Sequence, residues 1–104
     1  AFGSDWPVVS LDPMLGVEAA VTGLTLDGKR WQTQEHLTVA QALEAYTAGA
    51  AYACFADKEV GRIAPGLRAD FVILNNDPFA RGPNWKALKP VATYVEGKLV
   101  FEAR

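Results

Sequence analysis

A chain of 104 residues with hydrophobic residues at 50%, charged residues at 21% and a net charge of −2 reads as a single folded domain's worth of sequence, not a disordered one. At this size folding buries only roughly 60 to 70% of the unfolded surface, so the core is small. The acidic balance supplies no basic stripe to hold a phosphate backbone, which argues against nucleic acid as a partner. The longest apolar runs, Ala48 to Phe55 and Phe71 to Leu74, are far too short to span a bilayer, and no charged-then-apolar signal opens the chain. A cytoplasmic protein with no membrane partner is the expectation. The chain opens on Ala1 and its sole methionine is Met14, which leads us to expect that a preceding segment has been removed.

The opening stretch Phe2-Gly3-Ser4-Asp5-Trp6-Pro7-Val8 has an apolar entry, a glycine, one carboxylate and a proline stop. That pattern suits a buried strand presenting Asp5 at its tip. It equally suits Asp5 as a turn or cap residue. Asp12-Pro13 and Gly16 read as a loop that ends the opening strand and launches a helix, and Val17 to Leu24 as that short, weakly capped helix with Val17, Ala20, Val21 and Leu24 on one face. Leu26-Asp27-Gly28-Lys29 is a turn, and the segment through Gln34-Glu35-His36 is a polar loop with Trp31 folded back onto the protein.

Thr38 and Gln41 have the spacing of a capping box, and behind them Val39, Leu43, Tyr46, Ala50 and Cys54 recur at helical spacing. The pattern predicts one helix from Val39 to Phe55. Its alanines and Gly49 admit a close neighbour, either as a docking face or in ordinary packing. Cys54, the single cysteine, reads as a buried small hydrophobe. His36, the only histidine, is too remote in sequence to suggest a thiol–imidazole pair. Beyond Gly61 the pattern turns to strands. Pro65-Gly66 makes a turn, Ala69 to Leu74 reads as a strand covered on both faces, and Asn75-Asn76-Asp77-Pro78 ends it. Gly82 to Trp85 is a loop or short helical turn. Pro90 to Val95 and Lys98 to Phe101 form a hairpin turning at Glu96-Gly97.

Taken together, Gly3-Ser4-Asp5, Leu43 to Thr47, Ala50 to Ala53, the run Gly61-Arg62-Ile63-Ala64-Pro65-Gly66-Leu67-Arg68-Ala69-Asp70-Phe71-Val72-Ile73-Leu74 and Val95 to Val100 resemble the C-terminal part of metal-dependent amidohydrolases. The opening segment, Ala20-Val21-Thr22 and Thr25-Leu26-Asp27-Gly28 resemble the amidohydrolase 3 branch, the YtcJ-like hydrolases. The resemblance implies an α+β chain: residues 1–58 as the last strand and helices of a (β/α)₈ barrel, residues 59–104 as part of a flanking β-sandwich. It implies a hydrolase of C–N bonds, with Asp5 binding a divalent metal, zinc above others, and taking the proton of the metal's water, and with Trp6 lining the substrate pocket or packing.

A whole barrel needs about 250 residues, and the other metal ligands of the family pattern have no counterpart in this sequence. The isolated chain is therefore expected to hold no metal and to be inactive, its small-molecule substrate belonging to the parent protein. A stand-alone α+β interaction module of the same descent is the alternative. A barrel strand without neighbours also predicts a homodimer or a domain-swapped oligomer.

Overall fold

The computed structural model describes residues 1–31 and 35–104 and shows an α+β chain of three α-helices followed by one antiparallel sheet. The Gln34 part of the expected polar loop lies outside the described residues. Helix α1 runs Pro13–Thr22, starting four residues before the pattern predicts. The reason is chemical. Asp12 accepts a hydrogen bond from the Met14 N–H and Pro13 occupies the first turn, so a pair that reads as loop is a helix start. Gly23, left-handed at φ 67°, closes the helix by donating to the Ala19 carbonyl, so α1 is well capped at both ends.

The capping box forms as expected. Thr38 Oγ1 accepts from the Gln41 N–H, and Gln41 Oε1 accepts from the Thr38 N–H. The single long helix does not form. It is divided at Thr47 into α2, Val39–Tyr46, and α3, Ala48–Ala53. Thr47 sits at φ −114°, ψ −92°, and its hydroxyl donates to the Leu43 carbonyl at 2.8 Å. Such back-bonding by a β-branched residue bends helices.

The sheet has the order β1-β2-β3, with β1 at Phe71–Leu74, β2 at Pro90–Val95 and β3 at Lys98–Glu102. Phe71 pairs with Tyr94 and their rings stack at 4.6 Å. The β2–β3 hairpin turns on Glu96 and Gly97, both at positive φ, as a two-residue turn matched to strand twist requires. The break after β1 is held by Asn75, whose side chain donates to the Ala87 carbonyl and accepts from the Lys89 N–H. The expectation that β1 is covered on both faces fails, since Val72 is 50% and Ile73 45% exposed. No described element packs over them.

The core joins the two halves of the chain. Met14, Val17 and Ala42 are buried against Trp85 and Leu88, which arrive on a 3₁₀ turn at Trp85–Ala87. Leu37, Leu43 and Tyr46 pack around them. The Lys89 ammonium, just beyond, pairs with the Asp12 carboxylate at 2.6 Å and fastens the start of α1 to the entry of β2. Two further expectations are corrected. Trp31 is 84% exposed, not folded back, and the Cys54 thiol is exposed, because α3 faces an open groove. Among the described residues no helix is long and apolar enough to cross a membrane.

Candidate active site

Residues 1–4 carry no strand, which corrects the expected strand ending at Asp5. A strand of a parallel barrel needs neighbours on both sides, and no described segment flanks this one. The stretch is instead an irregular segment laid across the α2–α3 junction. The Phe2 N–H donates to the Ala45 carbonyl at 2.8 Å, and the Phe2 ring meets the Tyr46 ring edge-on at 5.4 Å and 71°. Ala1 lies over Gly49, the close approach that the small residues of this helix allow.

Asp5 follows at φ 51°, left-handed, in a turn that closes when the Val8 N–H donates to the Asp5 carbonyl at 2.9 Å. Aspartate is one of the few side chains that tolerate this conformation. The Trp6–Pro7 peptide is cis. Asp5 is exposed, and among the described residues its carboxylate makes no hydrogen bond or ion pair. Trp6 beside it is 63% exposed, so it packs on little within this chain.

A cavity of about 230 Å³ adjoins this turn, walled by Gly3, Ser4, Ser10, Leu15 and Tyr46. A larger groove of about 730 Å³ lies elsewhere, between α3 and β1, with Tyr46, Ala50, Cys54, Ile63 and Phe71 on its walls. The larger volume is apolar, and its one carboxylate is already engaged. Asp70 accepts from the Glu96 N–H at 2.8 Å and from Arg68 at 2.6 Å. Those partners, the Glu96 N–H first and the Arg68 guanidinium next, hold Asp70 below the ordinary aspartate value. Asp70 is thus a structural anion, whereas the Asp5 carboxylate has no such partner among the described residues.

Among the described residues no group of three or more His, Cys, Asp or Glu could hold a metal ion. Zinc sites take three or four protein ligands, so the residues present do not make one by themselves, and Asp5 offers a single carboxylate. His36 is exposed in the irregular segment before α2. The pattern reading singles out Asp5 and Trp6 as candidates but does not show the contacts behind them. Nothing in the sequence pairs Phe2 with Tyr46, and Gly16, whose missing side chain admits the Tyr46 hydroxyl, reads there as a loop residue.

The site is one acid on a tethered turn, carried by an α+β unit whose sheet stands partly uncovered. Among the described residues no further His, Cys, Asp or Glu gathers with it into a group that could hold a metal. The chain belongs to the amidohydrolase family, whose sequence profile matches residues 1–101. It is 37% identical to the putative amidohydrolase YtcJ of Bacillus subtilis over 98% of its own length and 20% of that protein's. It is 35% identical to the protein LONG AFTER FAR-RED 3 of Arabidopsis thaliana, over 97% of the chain and 18% of the relative. To the N-substituted formamide deformylase of Arthrobacter pascens it is 33% identical, over 98% of the chain and 19% of the relative. The chain thus spans about a fifth of the length of these curated relatives. No solved structure gives a significant match.

Proposed function

We propose that this chain is the C-terminal part of a longer hydrolase that cleaves amide-type C–N bonds, and that Asp5 is its proton-accepting acid. The observation that carries the reading is the exposed, unengaged Asp5 carboxylate on a turn tied down at Phe2 and Val8. Membership of the amidohydrolase family and the names of two relatives, an amidohydrolase and a formamide deformylase, supply the reaction class. In such a hydrolysis the acid takes a proton from the attacking water and returns it to the leaving nitrogen, giving an amine and a carboxylic acid. Asp5 would also supply one ligand to a divalent metal, zinc foremost, with the remaining ligands coming from the rest of the longer protein, and the metal would there acidify the attacking water. Trp6 meets the substrate as an apolar wall.

The test is hydrolysis of a chromogenic N-aryl formamide, 4-nitroformanilide, by a protein of the relatives' length that contains this chain, beside the 104-residue chain alone. Release of 4-nitroaniline by the longer protein, its loss in Asp5→Asn and an inactive short chain are the expected results. A longer protein that neither hydrolyses the formamide nor changes with Asp5→Asn overturns the proposal in favour of a non-catalytic binding module.

A further inference from the structure

Asp5 is exposed and among the described residues its carboxylate has no partner, yet the segment that carries it is held at Phe2, by the Ala45 carbonyl and by the Tyr46 ring. Tyr46 is the last residue of α2 and packs against the core of Val17 and Ala42. Its ring meets Phe2, three residues before Asp5, at 5.4 Å, while the carbonyl of the preceding Ala45 takes the Phe2 N–H. Its hydroxyl occupies space left by Gly16 in α1, where an added Cβ would meet Oη and stand 3.0 Å from Cζ. It also walls the cavity beside the Asp5 turn. A rigid aromatic ring thus runs from the buried core to the segment that presents the acid, and it fits against α1 because Gly16 stands where alanine would favour the helix but collide with the hydroxyl.

We infer that Tyr46 is the positioning residue of Asp5: seated in the notch at Gly16, it sets through Phe2 where the Asp5 turn stands. The inference rests on the proposed role of Asp5. A group held about 1 Å out of place loses up to about a hundredfold in rate, so the position of this turn matters as much as the identity of the acid.

Four variants test it with two readouts, amide exchange at Phe2 in this chain and turnover of 4-nitroformanilide by the longer protein. Tyr46→Leu, which keeps apolar bulk against the core, and Gly16→Ala, which displaces the hydroxyl, should each speed Phe2 exchange and lower kcat by about 10- to 100-fold with KM little changed. Tyr46→Phe should keep both near the unaltered values, and Gly16→Ala with Tyr46→Phe should recover most of what Gly16→Ala loses. A merely structural role leaves kcat unchanged in Gly16→Ala, whatever the collision with Oη does to the stability of α1. Unchanged Phe2 exchange in Tyr46→Leu overturns the tether whatever the activity does. Faster exchange with unchanged kcat overturns positioning. An Asp5→Asn protein as active as the unaltered one overturns the proposed function, and the positioning role with it, while Phe2 exchange still reports the tether separately.

Discussion

Asp12 does two jobs with one carboxylate, and its two oxygens separate them. One caps α1 by accepting the Met14 N–H and the other pairs with Lys89. Loss of an N-cap costs about 1 to 2 kcal/mol, whereas a pair whose lysine is 55% exposed contributes under about 1 kcal/mol. Urea unfolding should therefore show Asp12→Ala as the more damaging change and Lys89→Met as mild. Equal losses would mean that the ion pair, not the cap, dominates.

Asp70 gives a pH signature at the same scale. Its folded value lies below the ordinary one, so its contribution is complete above the unfolded carboxylate value of about 3.9 and is lost as the pH falls through the folded value. The urea midpoint should fall below about pH 4, and Asp70→Asn should flatten part of that fall. Asp27, lowered chiefly by the Thr25 hydroxyl and then by Lys29, keeps a share of it. An unchanged acid limb in Asp70→Asn would contradict this.

At the scale of elements, α3 ends in a way its sequence does not favour. The Phe55 N–H donates to the Tyr52 carbonyl and the Ala56 N–H to the Ala51 carbonyl, a Schellman closure with Phe55 in the left-handed position at φ 59°. A bulky side chain there is strained, and Phe55 is 95% exposed, so among the described residues little contact offsets the strain. Phe55→Gly should stabilise the chain by about 1 kcal/mol, read as a higher urea midpoint. A loss of stability would show that the ring makes contacts that matter.

What was legible at this scale follows from local chemistry. The Thr38–Gln41 box, the Glu96-Gly97 hairpin and the break after Leu74 are each specified by two or three adjacent residues, and each stands where the pattern puts it. The division at Thr47 was not legible, because a run of good helix formers hides one threonine that bonds back to Leu43. The start of α1 was misread because Asp-Pro serves loops and helix N-termini alike. Asp5 was legible as a candidate, but its setting was not: the Phe2–Tyr46 contact joins residues 44 positions apart, and no local period encodes it.

At the scale of the whole molecule, a further group of misreadings shares one cause. Val72, Ile73, Cys54 and Phe55 were read as covered, or as inside a helix, from their apolar character, and all are exposed. Every residue of β3 is exposed too, which leaves a strand with an open edge. We propose that the chain taken alone pairs with a second copy through such an edge, in place of the expected pairing at the opening strand. Light scattering should show mass rising with concentration toward a dimer. A constant monomer mass over a wide range would sink the idea.

The role of Asp5 is the claim on which the functional account stands. Turnover of 4-nitroformanilide by the longer protein should be compared for Asp5→Asn and for Asp77→Asn, a control carboxylate that accepts the Phe79 N–H in a turn far along the chain. Loss of about 10²- to 10⁴-fold in kcat for Asp5→Asn, with Asp77→Asn near the unaltered rate, is the expected result for a proton-accepting acid. Equal rates in the two variants would contradict it and leave the opening turn a structural feature alone.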